Sequence, residues 1–530
     1  MADTDAPDAR DAPDARDATP ARNESPPLPM LRVRPAFALA ALSGLLYFLA
    51  VPGVGLWPAA LVAQAPLLLA LRRQPPGRAA ALGLTSGFAF SVTTFYWLHE
   101  TLQVFGGLSG AVAFALMMVM CLYQGGRAAL TGWLYARAEG RGWPGAPAFV
   151  LAFTTGELLW PLLFPWYFAF TVHNAPALMQ TADLGGVYLA GAVLLGPSLA
   201  LAELLRARLE RDRPSRVLVA AGALAPLLGA AYGALRMRQI EAREAEAPQL
   251  TVGVAQGNQP FVGRPDGIAI HRRLTRALRD QGAELVVWSE GAVPTVFDEA
   301  VYREATRARI TRGLGVPVLF GGGVKRTEGK ITREFNTALL ADADGKVIGR
   351  YDKQYLLPFG EYIPLGETFP WLHDSSPNSG RLSPGDSLEP MILDGHRITT
   401  LICYEDLLPG FVNRAVTHAR PDLLVNLTID TWFGHTLEPW QHLGLSQLRA
   451  VEHRRYLVRA NNSGVSAIID ATGRVVVHGG VFTEEALVGP VKLLSRATVY
   501  EQIGDAPFYA GALAIAAMAL LRRPARGRRA

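Results

Sequence analysis

Lysine is nearly absent from this 530-residue chain. Five lysines (Lys325, Lys330, Lys346, Lys353 and Lys492) stand against 46 arginines. Cysteine is scarcer, with Cys121 and Cys403 alone. Cys121 lies in an apolar run, which makes a disulfide between the two implausible and leaves Cys403 a lone thiol. No phosphate-cradling loop is present, since "GGGVKRTEGKIT" lacks the glycine spacing. No G-x-S-x-G nucleophile elbow occurs. The histidines, among them His435, His442 and His453, show no metal-ligand spacing with cysteine or acids, so structural or surface roles are expected. Group transfer by this chain is therefore expected to need no ATP, no metal and no cofactor.

Half of the residues are hydrophobic, and they are unevenly placed. Seven early segments fit bilayer spans of ~20 residues: 35–54, 56–71, 79–98, 104–124, 146–166, 184–204 and 216–235. An eighth covers 507–521. Arginine sorts with this count. Arg32 and Arg34 precede the first span. Arg72, Arg73 and Arg78 follow the second, Arg127, Arg137 and Arg141 the fourth, and Arg206, Arg208, Arg211, Arg213 and Arg216 the sixth. Arg522, Arg523, Arg526, Arg528 and Arg529 end the chain, while the loops near 55, 99–103 and 167–183 hold no Lys or Arg. Positive charge on every second side predicts eight spans with both termini in the cytoplasm and residues 236–506 outside it. The net charge of +5 follows from that topology and does not call for nucleic acid. Residues 1–30, a Pro/Ala/Asp/Arg repeat without apolar periodicity, are expected to be disordered. The assignment is 31–235 for seven spans, 236–506 for an outer domain, 507–521 for the last span and 522–530 for a basic tail.

The outer stretch alternates β-rich runs with helical ones. Strands are predicted at 249–257, 283–291, in "VPVLFGGGV" and "FNTALLADADGKVIGRYDK", and then in "HRITTLICYED" and "PDLLVNLTID". Helices are predicted at 268–282, 299–315 and 439–453. "LVVW" and "LLVNL" suit strands covered on both faces, and the "DADG" and "DATG" turns suit tight hairpins. The result is a layered α/β domain with functional groups at strand ends.

Three strand-end residues carry candidate chemistry. Glu290 ends "LVVWSE", where it is either a solvated terminal acid or a desolvated general base. Lys353 in "GRYDKQYLLPFGEYIP" is either a surface lysine or a compact charge for an oxyanion. Cys403, beside Glu405 and Asp406, is either a buried inert thiol or a nucleophile.

Together these stretches resemble the nitrilase, or carbon–nitrogen hydrolase, superfamily. "VVWSEGAVPT", "YDKQYLLPFGEYIPLG", "LICYED", "NLTIDTWFG" with "PWQHL", and "RANNSGVSAIID" are, in order, similar to the outer domain of the apolipoprotein N-acyltransferase family. The resemblance covers most of residues 35–525. It implies an eight-span bundle carrying an extracytoplasmic αββα sandwich. Glu290 is then the general base, Lys353 the oxyanion stabiliser and Cys403 the nucleophile. Glu361 is an accessory acid, and Tyr404, Glu405, Asn336 and Trp432 match positioning or substrate-side positions. The sequence departs from the family pattern in "WSEG" for the commoner Trp-Pro-Glu-Thr, in the missing tryptophan after "QGN" and in the N-terminal repeat.

The resemblance implies acyl transfer from a membrane phospholipid, through a Cys403 thioester, to the α-amine of diacylglyceryl-modified apolipoproteins. It places the protein in a bacterial inner membrane with the catalytic domain in the periplasm. Loops 356–373 and 431–442, rich in aromatics, Pro and Gly, are read as lids at the interface. Two other readings stay open: a membrane-anchored amidase or hydrolase with water as acceptor, and a non-catalytic membrane binding protein.

Overall fold

The computed structural model describes residues 31–260, 267–366, 368–369, 371 and 380–523. The N-terminal repeat, the tail arginines beyond Arg523 and part of the 356–373 loop lie outside the described residues. Each predicted apolar segment contains helix, although 35–54 and 146–166 outrun theirs and 104–124 begins before its helix. The helices are Val33–Leu49, Trp57–Leu71 in short pieces, Pro76–Thr94, Gly110–Glu139, Gly145–Leu159, Ala182–Glu210, Arg216–Glu246 and Ala506–Leu520. Three of them are long and apolar enough to cross a membrane. A fourth qualifies if Pro76–Thr94 is joined to Leu98–Val104 across a bend of 56°, and four more are shorter apolar helices.

With lipid as solvent, helices gain from close backbone approach rather than from hiding apolar area. Helices Pro76–Thr94 and Gly110–Glu139 do this through glycine. A Cβ on Gly83 would lie 2.0 Å from the Ala128 carbonyl oxygen, and one on Gly87 2.6 Å from that of Gly125.

Two features depart from the sequence reading. Arg127, counted above as a loop cation, lies inside helix Gly110–Glu139 and is buried. Its guanidinium sits 3.3 Å over the Trp166 ring and 3.5 Å from Glu157. A charge within the bundle is tolerable because it has both partners. The helix begun at Arg216 also runs past 235 to Glu246, and the first strand starts at Gln249.

The outer domain is a two-sheet sandwich. One sheet holds β1 (Gln249–Gln256), β2 (Leu285–Trp288), β3 (Val296–Asp298), β4 (Val318–Glu328), β5 (Ile331–Ala341), β6 (Val347–Asp352) and the last strand, β13 (Glu485–Lys492). The other runs in the order β12 (Val475–His478), β11 (Ala467–Ile469), β10 (Tyr456–Asn461), β9 (Leu423–Thr428), β8 (His396–Ile402), β7 (Met391–Leu393). Pairs β1–β2, β2–β4, β8–β9 and β9–β10 are parallel, so their C-terminal ends share one rim.

Side-chain alternation builds the layers. Val252, Val287, Ile398, Ile402, Val425 and Val458 face between the sheets. Val286, Trp288 and Phe320 face outward with Leu274 and Leu278 of helix Gly267–Asp280. Leu401, Leu424 and Leu457 face Val412 and Val416 of helix Pro409–Ala419 and Leu443 and Ala450 of helix Glu438–His453. The order is therefore helix, sheet, sheet, helix.

Helix Glu438–His453 is buried along its whole length because it serves two cores. Leu443 and Ala450 face the sandwich, while Leu445, Leu448 and Val451 join the core of the helical bundle. Just beyond it, Arg454 pairs at 2.9 Å with Asp183, which also holds Arg236 at 2.7 Å. A buried carboxylate between two guanidiniums fixes the sandwich to the bundle.

Candidate active site

The parallel strands bring their ends to one rim, and the candidate residues sit there. Glu290 follows β2, Lys353 follows β6, Cys403 follows β8 and Asn336 lies on β5. Gly321 of β4 permits the approach, since a Cβ there would lie 2.7 Å from the Glu290 Cα.

Lys353 Nζ is 2.7 Å from Glu361 Oε2 and 3.5 Å from Glu290 Oε1. Asn336 donates from Nδ2 to both acids, at 2.7 Å to Glu290 Oε1 and 2.9 Å to Glu361 Oε1. Glu361 Oε2 is further fixed by the Leu357 N–H at 2.8 Å. Lys353 and Glu290 are buried, and Glu290 Oε2 has no hydrogen-bond partner among the described residues. The Cys403 thiol adjoins this carboxylate.

The electrostatics follow from burial and sign. Desolvation raises the Glu290 pKa, Lys353 opposes the rise and Glu361 adds to it. Burial alone would lower the Lys353 pKa, but the charges of Glu361 and Glu290 outweigh it and hold the ammonium protonated. The Cys403 thiol is pushed up, first by burial and next by Glu290, with Lys353 opposing. The resting site thus holds a neutral thiol beside a basic carboxylate and a fixed cation. That set can move a proton off sulfur as a bond forms to it.

Cys403 has φ +50°, a left-handed conformation that is costly without glycine. Glu405 supports the turn. Its carboxylate accepts from Ile402 N at 2.8 Å, Gln354 N at 2.7 Å, Tyr355 N at 3.1 Å and the Tyr351 hydroxyl at 2.8 Å. It therefore ties the cysteine turn to the segment carrying Lys353. Burial raises the Glu405 pKa to about 7 against those donors.

Tyr404 is buried in the apolar cluster shared with the helical bundle. Trp432 packs on Phe105 at 4.6 Å between ring centres with the planes tilted by 53°, and its carbonyl accepts from Thr101 at 2.9 Å. It lines a cleft of about 590 Å³ with Glu100, Gln259, His435 and Phe482. The eight sequence-marked residues thus divide. Glu290, Lys353, Cys403, Asn336 and Glu361 form one cluster, Glu405 braces it, and Tyr404 and Trp432 face the bundle. Of the two loops read as lids, 431–442 runs from Glu438 into the buried helix, whereas in 356–373 Phe359, Leu365, Phe369 and Trp371 are exposed.

The sequence reading passed over a second buried cluster. Asp430, Glu438 and His442 each offer one ligand atom within 4.8 Å of the others. Arg459 Nη2 lies 2.8 Å from Asp430 Oδ2, and both His442 nitrogens already face carboxylates. A cation there would displace an ion pair, so the cluster reads as a charge network.

Residues 43–199 match the family described as the apolipoprotein N-acyltransferase N-terminal domain, and 251–500 match carbon-nitrogen hydrolase. An apolipoprotein N-acyltransferase of Geobacter metallireducens is 33% identical over 92% of this chain and 96% of its own length. One of Pseudomonas syringae pv. tomato is 31% identical over 88% and 92%. A solved amidase from Nesterenkonia sp. is 21% identical, covering 49% of this chain and 95% of its own at a TM-score of 0.35, too slight a likeness to argue from.

Proposed function

The chain belongs to the apolipoprotein N-acyltransferase family, and from that premise we propose that it moves an acyl chain from a membrane phospholipid to the α-amine of a diacylglyceryl-modified apolipoprotein through a thioester on Cys403. The observation that carries the reading is the cluster of buried Glu290 and Lys353 with half-buried Glu361 around a thiol in a left-handed turn.

In the first half-reaction the Cys403 sulfur attacks the ester carbonyl while Glu290 takes the thiol proton. Lys353 Nζ faces the developing oxyanion, and Glu361 and Asn336 keep that ammonium in place. The tetrahedral species collapses, the C–O bond breaks, and Glu290 returns the proton to the departing lysophospholipid alkoxide. In the second half-reaction the acceptor amine attacks the thioester carbonyl. Glu290 takes an amine proton, the C–S bond breaks and the thiol is restored. The thioester retains the activation of an acyl donor, so amide formation needs no phosphate chemistry.

Both substrates carry acyl chains, which fits a site joined to a helical bundle. The proposed arrangement has residues 31–235 as seven spans, 507–521 as the eighth, and the sandwich at 236–506 on the periplasmic face of a bacterial inner membrane. The alternating arginine loops and the eight apolar helices support it.

The test is reconstitution in phosphatidylethanolamine and phosphatidylglycerol vesicles with a synthetic diacylglyceryl-cysteine peptide. The expected product is the N-acylated peptide, absent with Cys403→Ala. Release of free fatty acid with no acylated peptide would instead favour the anchored-hydrolase reading.

A further inference from the structure

Behind Cys403 the buried charges form a closed circuit. Its carbonyl oxygen accepts from Asn426 Nδ2 at 3.2 Å, and Asn426 Oδ1 accepts from Arg459 Nη1 at 3.1 Å. Arg459 Nη2 donates to Asp430 Oδ2 at 2.8 Å. Asp430 Oδ1 faces His442 Nδ1 at 3.1 Å, and His442 Nε2 faces Asp406 Oδ1 at 2.9 Å. Asp406 lies in the same turn as Cys403, which completes the ring through the backbone.

The protonation state follows from counting donors. Asp406 Oδ2 already accepts from Ser446 Oγ at 2.6 Å, and Asp430 Oδ2 from Arg459 and Asn461. Carboxylates placed this way have only acceptors to offer, so both imidazole nitrogens must donate. Two aspartates then balance one guanidinium and one imidazolium. Glu438, 3.8 Å from His442 Nδ1, is the remaining acid beside the ring. Burial, and next Asp430, raise its pKa.

A left-handed turn at a non-glycine residue persists only where its surroundings over-determine it. We propose that His442 is a positioning residue for the nucleophile: as an imidazolium donating to Asp406 and Asp430, it closes the hydrogen-bond ring that holds the Cys403 turn. This rests on Cys403 being the acyl-accepting thiol. His442 does not touch the reacting atoms, and its effect passes through Asp406 at one end and through Asp430, Arg459 and Asn426 at the other.

The test measures, on the full-length protein in phosphatidylethanolamine and phosphatidylglycerol vesicles, the rate at which Cys403 gains an acyl chain. His442→Ala is expected to acylate about 10²-fold more slowly, the scale of a small misplacement of a reacting group. Half-saturation by phospholipid should be unchanged. Added imidazole should restore part of the rate, more so at pH values where it is protonated. Asp406→Asn, which keeps the side-chain shape, is expected to slow acylation in the same direction and carries the test if His442→Ala does not fold. The double variant should be no slower than the worse single, because both cut one ring. Folded single variants acylating at the parental rate, or a double variant whose loss is the product of the two, would overturn the proposal. A parental enzyme that gains no acyl chain would overturn the nucleophile reading and this inference with it.

Discussion

Two buried charge clusters flank Cys403, and they are finished to different standards. Toward Lys353 the groups are less tied: among the described residues Glu290 Oε2 has no nitrogen or oxygen donor, the Cys403 thiol adjoins the carboxylate, its pKa is raised by burial, and the ammonium is shared by two acids. Toward His442 every oxygen of Asp406 and Asp430 has a donor. Burial would raise the Asp430 pKa, but Arg459 and His442 outweigh it and hold it down at about 2. An unsatisfied buried polar group costs free energy, so a site can keep one only where the neighbouring structure is over-determined. The side around Glu290 offers chemistry; on the other side both aspartates are fully paired and hold the turn still, and only Glu438 Oε2 beside them lacks a partner among the described residues.

Exchanging their roles should therefore fail, and substitutions should separate rate from stability. The largest expected effect is on rate. Glu290→Gln removes the base and should slow Cys403 acylation by about 10²–10⁴-fold, with thermal stability in detergent unchanged or higher. In the parent enzyme the same rate should fall as pH drops through the raised Glu290 pKa, because the protonated acid cannot take the thiol proton. Arg459→Leu should do the opposite kind of damage. It strands Asp430 without its guanidinium and should cost about 3–5 kcal/mol of stability, read as a lowered unfolding midpoint.

The pH dependence of stability sharpens the same contrast. Burial and Arg459 push the His442 pKa down, but Asp406 and Asp430 carry it up to about 9. A group whose pKa rises on folding contributes fully below its unfolded value, about 6.5. That contribution, of order 3 kcal/mol, is lost as pH rises toward 9. Unfolding midpoints should decline across that window in the parent and flatten in His442→Gln. The smallest expected effect belongs to Glu405→Gln. An amide cannot accept from all four donors, and the loss should be about 1–3 kcal/mol, with acylation reduced through displacement of the Lys353 segment.

The legibility of the sequence follows the same division. Glu290 and Cys403 stand out because each ends an apolar strand, where a charge or thiol breaks a pattern, and Lys353 because it is one of five lysines against 46 arginines. The layered α/β order is readable because continuous apolar runs such as "LVVW" and "LLVNL" suit strands covered on both faces, whereas the two-sheet sandwich is implied only by the family resemblance. The ring is not readable, since Arg459 sits inside the strand Tyr456–Asn461 and His442 inside a helix buried between two cores. Each is an ordinary polar residue until the fold brings β8, β9, β10 and that helix together. Arg127 was misplaced for a related reason. An isolated arginine after an apolar run marks a span end by hydropathy, whereas Glu157 and Trp166, distant in sequence, keep it inside the helix. The helix through 235 to Glu246 was cut short because its charged last turns left the apolar run. Glu405, expected as an accessory or positioning residue from the resemblance alone, accepts from four donors that only the fold brings to it.

The most direct test of the account is the intact mass of the purified protein after incubation with phospholipid vesicles, parent beside Cys403→Ala. The expected result is a hydroxylamine-labile gain of one acyl chain in the parent and none in the variant. A parent that gains no acyl chain, or a variant that gains one equally, would contradict a thioester on Cys403 and return this thiol to the buried core.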